Sequence, residues 1–250
     1  MGTWVELING WILPVAVAPV IGSFCGVLIR RLPAGRPIAT SRSACEACGH
    51  VLRPAELFPI LSFLLQRGRC AACGAAIARE HLFIECAALA VAIAAALLVP
   101  GGPFLWLTCM LGWWLLTLAW IDARTYRLPD ALTLPLVLAG LAEAALLEPA
   151  SVTDRAAAAA LGFGLFWLVG FAYRRARGRE GLGLGDAKLL AAAGAWCGIA
   201  ALPMIIFTAA VLALLWALFL RLRGVAVTAT LRLPFGPFIA AAAWIAWLRP

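Results

Sequence analysis

Long apolar stretches alternate with short polar segments along almost the whole chain, and each approaches the ~20 residues that a helix needs to cross a bilayer. They lie at roughly 11–29, 82–99, 104–121, 131–147, 156–173, 187–202, 203–220 and 233–248. The stretch at 187–202 is short, and its separation from the next one depends on Pro203. The pattern predicts an all-α, polytopic membrane helix bundle with about eight transmembrane helices.

Composition and charge agree with a membrane protein. Hydrophobic residues make up 64% of the 250 residues and charged residues 13%, whereas soluble domains carry about 25% charged residues. The formal net charge is +8, but 19 of the 20 basic residues are arginines that cluster between the apolar stretches. That placement is typical of residues that orient a protein in a membrane, so we predict a lipid bilayer and no nucleic acid as partner.

The arginines also predict the orientation of the chain. No basic residue precedes the first stretch, and Arg30 and Arg31 follow it, so the N-terminus should lie outside and the next loop inside. With eight spans, the inner loops are 30–81, 122–130, 174–186 and 221–232, and they hold 17 of the 19 arginines. We divide the chain into a first transmembrane span at 1–30, a polar cytoplasmic loop at 31–81 and a membrane-embedded core at 82–250.

The 31–81 loop contains two Cys-x-x-Cys motifs, each followed by a glycine that lets the chain turn back. Their cysteines are Cys45, Cys48, Cys70 and Cys73. Four thiolates complete the tetrahedral coordination of a structural zinc ion and leave no open position for chemistry. A reducing compartment disfavours disulfides, while a redox-active dithiol pair stays open as the alternative. We predict zinc, or a similar thiophilic metal, that organises the loop, with His50 as a bystander.

Three aspartates border predicted spans on the inner side, where an acidic residue is costly and needs a reason. Asp122 ends a span, where the helix macrodipole disfavours negative charge, so capping does not explain it. Asp186 follows Gly183 and Gly185 and begins a span, so a helix-capping role stays open for it. Asp130 follows a proline at the start of another span, which is also typical of an ordinary first helical turn.

If the side chains of Asp122 and Asp186 meet, their helix ends predict a division of labour. Asp186 at a positive helix end should ionise more easily, and Asp122 at a negative end should keep its proton. Two carboxylates that share one proton activate a water molecule and protonate a leaving amine, which is aspartic protease chemistry. Lys188 lies two residues from Asp186, on another face of a helix, so a direct ion pair between them is not expected.

Motifs along nearly the whole chain resemble the bacterial type IV prepilin peptidases, a family of Gly-x-Gly-Asp membrane aspartic proteases. They comprise Gly22-Ser23-Phe24 with Arg30-Arg31-Leu32-Pro33, the paired cysteine motifs, Ile60-Leu61-Ser62-Phe63 with Arg67-Gly68-Arg69-Cys70, Asp122 through Leu134, Gly183 through Gly198, and Pro234-Phe235-Gly236-Pro237. The resemblance implies that Asp122 and Asp186 are the catalytic pair within an 82–250 protease core. We take as supporting residues Gly183, Gly185, Lys188 and Asp130.

The resemblance also implies the substrate and the location. Family members cleave type IV prepilins or pseudopilins after a glycine, between a short basic leader and a hydrophobic helix. Many also methylate the new amino group with S-adenosylmethionine, an activity associated with the cysteine-bearing loop. We therefore expect a bacterial inner-membrane protein with a periplasmic N-terminus and an active site at the cytoplasmic face. Members of the family also have an acidic residue at the position of Glu85. Three roles stay open for it: binding the positive end of a pilin, helix capping and helix pairing.

Two other classes of protein fit parts of the pattern. A transporter or channel uses intramembrane acids to carry protons or cations, but it predicts those acids near the bilayer midplane and gives no use for the cysteine loop. A non-catalytic assembly or sensor protein would use the metal site alone. For Lys188, contact with substrate, tuning of the aspartate pair and simple membrane anchoring all stay open.

Overall fold

The computed structural model describes residues 10–38, 42–178, 182–226 and 233–249. Within these ranges the chain is helical, and the only β-structure is a pair of isolated bridges in the polar loop. The helices are α1 (Ile12–Arg31), α2 (Leu61–Leu65), α3 (Glu80–Leu98), α4 (Pro103–Thr125), α5 (Asp130–Leu147), α6 (Val152–Arg177), α7 (Leu184–Cys197), α8 (Leu202–Leu222) and α9 (Gly236–Trp247). The predicted outer N-terminus at 1–9, and Arg179 and Arg232 of the predicted inner loops, lie outside the described residues.

The prediction of a membrane helix bundle is confirmed, because each of the eight apolar stretches contains one helix. Within the described ranges, six helical segments are long and apolar enough to cross a membrane. By contrast, α7 has 14 residues and α9 has 12, which is shorter than the ~20 residues of a straight span. Eight full spans therefore stay a prediction.

The boundary between α7 and α8 differs from the predicted one at Pro203. The first of these helices ends at Cys197, Gly198 adopts a φ of +79°, and a short 3-10 turn, Ile199–Ala201, leads into α8. Pro203 lies in the first turn of α8, where a proline is tolerated because its missing N–H would have no helical partner. The glycine breaks the helix because it adopts a positive φ without steric cost.

The chain folds as two compact units, Met1–Thr117 and Leu118–Pro250, whose boundary falls within α4. In the first unit α1 packs closely against α3. A Cβ atom on Gly22 would lie 2.8 Å from the Glu85 Cα atom, so only glycine allows this approach. The indole Nε1 of Trp113 donates to the Ala88 carbonyl over 2.9 Å and ties the first part of α4 to α3.

In the second unit α7 is the central helix, packed against α5, α6 and α9. Eight consecutive residues of α7, from 189 to 196, are buried. Small residues make this possible, because a Cβ atom on Gly194 would lie 2.6 Å from the Ala158 carbonyl oxygen of α6. The Trp196 Nε1 donates to the Leu136 carbonyl over 2.9 Å and joins α7 to α5. The core of the second unit is therefore built around the helix that carries Asp186.

An ionic network lies at the C-terminal end of α7. Arg155 of α6 donates to the carboxylates of Glu143 over 3.0 Å and Glu148 over 3.3 Å, and also to the Trp196 carbonyl. Asp186 lies at the other end of α7, about 15 Å away at the helical rise of about 1.5 Å per residue. Within this unit, the ionic network around Arg155, which lies outside the predicted inner loops, and Asp186, which lies in one of them, are therefore at opposite ends of α7.

Candidate active site and metal centre

Asp122 lies in the last turn of α4, where the sequence predicted it, and its side chain is buried at 5% exposure. The backbone N–H of Gly236 donates to its Oδ2 atom over 2.9 Å. A Cβ atom on Gly236 would lie 2.7 Å from that oxygen and 3.0 Å from the carboxyl carbon. Residue 236 must therefore be glycine for its N–H to approach the carboxylate this closely.

Asp186 is the third residue of α7 and is half-buried. Its Oδ2 atom accepts a hydrogen bond from the Gly183 N–H, which precedes the helix, over 3.2 Å. This is the side-chain half of a capping box, so the capping interpretation that the sequence left open is correct for one oxygen of this carboxylate. Capping does not require the residue to face another acid, so it leaves room for a further role.

The structure brings Asp122 and Asp186 together within the second unit. Helix α9, whose Gly236 donates to Asp122, packs against α7, which carries Asp186, and the Asp122 carboxylate lies within electrostatic reach of the Asp186 carboxyl group. A pair of acids in a poorly hydrated place tends to hold one shared proton, because two adjacent negative charges repel each other. Aspartic protease chemistry depends on such a shared proton.

The two supporting polar residues form an ion pair with each other. The Lys188 Nζ atom lies 2.5 Å from Asp130 Oδ1, which joins the first turn of α5 to the second turn of α7. Lys188 does not pair with Asp186 in its own helix, as the helical spacing predicted. The sequence did not identify Asp130 as its partner, because the two residues are distant in the chain and nothing local links them.

The two glycines before Asp186 differ in what they contact. A Cβ atom on Gly185 would lie 2.9 Å from the Leu128 Cβ atom, so this glycine lets the segment between Asp122 and Asp130 approach the start of α7. A Cβ atom on Gly183 would lie 3.4 Å from the Asp186 Oδ2 atom and 3.9 Å from the Gly185 nitrogen, both ordinary contact distances. The packing therefore explains the glycine at 185 and gives no steric reason for the one at 183.

In the first unit, the four predicted cysteines converge on one point. Their sulfur atoms all lie within 4.8 Å of one another, and the Sγ atoms of Cys45 and Cys73 are 3.9 Å apart. Sulfurs around a tetrahedral zinc with bonds of about 2.3 Å are separated by about 3.8 Å. A disulfide would require about 2.05 Å, so these sulfurs are placed to hold a metal ion.

The two cysteine motifs have the same backbone structure. Gly49 and Gly74 both adopt a φ of +72°, and their N–H groups donate over 2.9 Å to the carbonyls of Cys45 and Cys70 respectively. The role predicted for the two glycines is confirmed, because a positive φ turns the chain back under the sulfurs. Arg30, at the end of α1, contacts Glu46 over 2.5 Å and links the first motif to the membrane helices.

Hydrogen bonds within the cysteine cluster shift the pKa values of two of its thiols in opposite directions. The backbone N–H groups of Cys48 and Ala47 donate to the Cys45 sulfur and lower the pKa of that thiol to about 6. The pKa of Cys48 is instead raised to about 11, because hydrogen bonding to the Cys73 sulfur, desolvation and the other thiols outweigh the lowering by the His50 N–H. Neighbouring sulfurs thus hold protons between them, whereas a metal ion allows all of them to ionise.

Residues near the cysteines have other partners. The His50 Nε2 atom lies 3.2 Å from Glu56 Oε2, and His50 does not belong to the group of four convergent ligands, as predicted. Glu85, only 7% exposed, accepts a hydrogen bond from the Ile60 N–H over 2.7 Å and another from the Ser23 side chain. Because Ser23 belongs to α1, the helix-pairing role left open for Glu85 is the one that the structure supports.

Gly236 is the functional residue whose role the sequence missed. Its motif, Pro234 to Pro237, was recognised as part of a resemblance, but no local pattern relates it to an aspartate 114 residues earlier. A glycine between prolines at the start of a helix was the only available signal. That signal indicates a tight backbone and does not name the residue that approaches it.

Comparison with known proteins gives a consistent result over nearly the whole chain. Residues 109–218 match the Type IV leader peptidase family, and residues 16–99 match the bacterial Peptidase A24 N-terminal domain. No solved structure matches the chain.

Curated relatives carry the name prepilin leader peptidase/N-methyltransferase. The Pseudomonas aeruginosa protein is 36% identical over 256 residues, covering 92% of this chain and 87% of its own length. The Burkholderia pseudomallei K96243 protein is 38% identical over 253 residues, with coverage of 91% and 81%. The Dichelobacter nodosus protein is 36% identical over 206 residues, with coverage of 82% and 70%. The chain therefore belongs to the type IV leader peptidase family, as a multi-pass protein of the inner membrane.

Proposed function

We propose that this protein is an aspartic endopeptidase that removes the leader peptide of type IV prepilins or pseudopilins after a glycine, and then methylates the new amino group. The observation that carries the protease proposal is that the packing of α7 against α9 and the Leu128 segment places the Asp122 and Asp186 carboxylates within electrostatic reach of each other. The family membership and the printed names of the relatives support both activities. The transporter alternative required acids near the bilayer midplane, whereas Asp122 ends one helix and Asp186 begins another.

The paired carboxylates supply general acid–base catalysis of peptide hydrolysis. One carboxylate takes a proton from a water molecule, whose oxygen attacks the carbonyl carbon of the glycine that precedes the scissile bond. The other, protonated, carboxyl gives its proton to the carbonyl oxygen, and the pair then protonates the leaving amine as the C–N bond breaks. The Gly236 N–H orients Asp122 for this exchange, and the Gly183 N–H orients Asp186. The division of labour, with Asp186 ionised and Asp122 protonated, stays a prediction.

The supporting residues position the two aspartates. The Asp130–Lys188 ion pair joins the segment that follows Asp122 to the helix that carries Asp186. Gly185 permits the same two segments to approach each other. These contacts favour a positioning role for Lys188 over the membrane-anchoring role that the sequence left open.

Zinc fits the donor set of the cysteine loop. Cys45, Cys48, Cys70 and Cys73 would hold it, and four thiolates leave no position for water or substrate, so the ion would stabilise the fold of the loop. S-adenosylmethionine, bound by the protein, would supply an electrophilic methyl group to the new amine. We assign none of the described residues to that methyl donor.

We further propose that the N-terminus is periplasmic and that the aspartates and the cysteine loop lie at the cytoplasmic face. The distribution of arginines between the predicted loops supports this orientation. The division into a first span at 1–30, a metal-binding loop at 31–81 and a protease core at 82–250 stays a prediction.

Co-expression with a prepilin tests the proposal. The wild-type protein should shorten the prepilin by its leader, and mass spectrometry of the mature amino terminus should show one added methyl group. Asp122→Asn and Asp186→Asn should each abolish shortening while inserting normally into the membrane. Glu148→Gln, a 67% exposed acid at the far end of α7, is the matched control and should cleave normally. Full cleavage by either aspartate variant would contradict the proposal.

A further inference from the structure

A group of large apolar side chains is exposed on the cysteine-bearing loop, in the segment 57–65, which includes α2. Phe58 is 62% exposed, Leu64 59% and Leu65 74%, and Leu57 and Leu61 are exposed beside them. An exposed apolar cluster of this kind on a polar loop marks a surface that another apolar phase or molecule covers. Elsewhere in the described part of the loop, Val51 is the one other exposed large apolar side chain, so the 57–65 group stands apart from its surroundings.

A hydrogen bond fixes the depth of this segment relative to the first unit's helices. The Ile60 N–H donates to Glu85 Oε2 over 2.7 Å. Glu85 is the sixth residue of α3, about 7.5 Å inside the start of that helix at the α-helical rise of about 1.5 Å per residue. On α1, Gly22 packs against Glu85 and so lies at the same depth. It is nine residues before the basic end of α1 at Arg31. The 57–65 segment therefore lies alongside the two apolar helices and not beyond their polar ends.

The backbone at Ile60 is strained, which shows that the segment is held in place. Ile60 has φ 60° and ψ −55°, and the Leu61 N–H donates to the Pro59 carbonyl in a γ-turn. A β-branched residue in this conformation costs on the order of 1–3 kcal/mol and persists only where surrounding contacts enforce it. The Glu85 carboxylate is such a contact, because it accepts the N–H of the strained residue.

Arginines flank the apolar segment on both sides. Arg53 precedes it and Arg67, Arg69 and Arg79 follow it, and all of these side chains are exposed. Apolar side chains between cationic ones are typical of elements that lie in a membrane interface, with the apolar groups in the acyl region and the guanidinium groups at lipid phosphates.

We propose that residues 57–65 insert into the phospholipid interface next to α1 and α3 and anchor the cysteine-bearing loop to the lipid surface. The partner is the phospholipid leaflet itself. Continuity with two helices of spanning length, at the level set by Glu85, favours lipid over a protein partner. The anchor keeps the metal site beside the membrane surface, and it does not depend on the proposed reaction.

Photo-cross-linking in lipid nanodiscs tests the proposal on the full chain. A photoreactive phenylalanine analogue is placed singly at positions 58 and 65. The same analogue at Leu97, an 80% exposed residue of α3, is the positive control, and at Val51, a 41% exposed residue of the first cysteine motif, it is the negative control. After irradiation, peptide mass spectrometry should find phospholipid adducts at 58, 65 and 97 and none at 51.

Two results would overturn the proposal. The first is the lack of lipid adducts at 58 and 65 in a sample in which position 97 is labelled. The second is cross-linking of 58 or 65 to a protein chain, which would make the segment a protein-docking face.

A polar double variant, Leu64→Gln with Leu65→Gln, provides a second measurement because both side chains are mostly exposed and should not affect folding. When the photoreactive analogue at position 58 is combined with this double variant, the yield of lipid adduct should decrease several-fold while the bound metal is retained. Val51→Gln serves as the matched control and should leave the adduct yield unchanged. An unchanged yield in the double variant would contradict insertion of the segment.

Discussion

In the first unit, Cys45 and Cys48 belong to one tight turn, and Cys70 and Cys73 repeat that turn with the same glycine φ of +72°. In the second unit, Asp122 receives its hydrogen bond from Gly236, more than a hundred residues away, and its charge acts on Asp186 of another helix. The metal centre is thus built from two local turns, each closed by its own backbone hydrogen bond. The aspartate pair depends on the packing of α4, α7 and α9, which are distant in the chain.

This difference predicts how each site responds to change. A local site depends on its own ligands and tolerates changes elsewhere in the chain. A site assembled by packing depends on residues that never touch the substrate, because a shift of about 1 Å in a catalytic group can cost about 10²-fold in rate. The variants below separate the two sites, in order of decreasing effect on cleavage.

Replacement of either catalytic acid should have the largest effect. Asp122→Asn and Asp186→Asn should each lower prepilin cleavage on the order of 10³-fold or more, because neither amide can exchange the shared proton. Bound metal should stay at the wild-type level, since the cysteines are untouched. Cleavage is followed by the shift of the prepilin on a gel, and metal by elemental mass spectrometry. Substantial residual cleavage would remove the aspartate pair as the catalytic centre.

Gly236→Ala should have the next largest effect, although residue 236 carries no reactive side chain. The new Cβ atom would lie 2.7 Å from Asp122 Oδ2, so the carboxylate must move and lose the N–H donor. We expect kcat/KM to fall by about 10²-fold with normal membrane insertion. Gly164→Ala is the matched control, because a Cβ atom there meets nothing within 4 Å. Equal activity of the two alanine variants would show that Gly236 does not position Asp122.

Removal of the metal should affect the first unit far more than it affects cleavage. Cys48→Ser with Cys73→Ser should abolish metal binding, because two of four ligands are lost. Cleavage should fall much less than in the Gly236 variant, and methylation should fall more than cleavage. Cys86→Ser, at an exposed cysteine of α3, should change none of these readouts. A loss of cleavage as deep as in the aspartate variants would join the two sites into one functional unit.

The Asp130–Lys188 pair should show the smallest effect. Asp130 is 58% exposed and Lys188 26%, so solvent screens the pair, and we expect a coupling of roughly 0.2–1 kcal/mol. A double-mutant cycle with Asp130→Asn and Lys188→Gln measures it from cleavage rates. The charge-swapped variant, Asp130→Lys with Lys188→Asp, should recover part of the loss. Strictly additive single effects would show that the contact does not position the aspartates.

The cysteines and their glycines could be predicted in detail because spacing of two and three residues determines local geometry. The apolar stretches likewise predicted one helix each. The end of α7 was placed too late, since Pro203 was a stronger signal than Gly198, yet a proline is compatible with the first turn of the next helix. Residue patterns cannot show whether the glycine or the proline ends the helix, because that depends on how the flanking helices pack.

By itself the sequence determined the chemistry available to this protein: four thiols in two turns, two acids at helix ends and arginines between apolar helices. Those features follow from short-range geometry and from the cost of polar groups in lipid, which act wherever the segment lies. Only the tertiary structure decided that Gly236 holds Asp122, that Lys188 pairs with Asp130 and that Glu85 holds the strained turn at Ile60. Contacts between distant segments depend on how the helices pack. At single glycines the backbones approach so closely that an added Cβ atom would clash with the neighbouring segment.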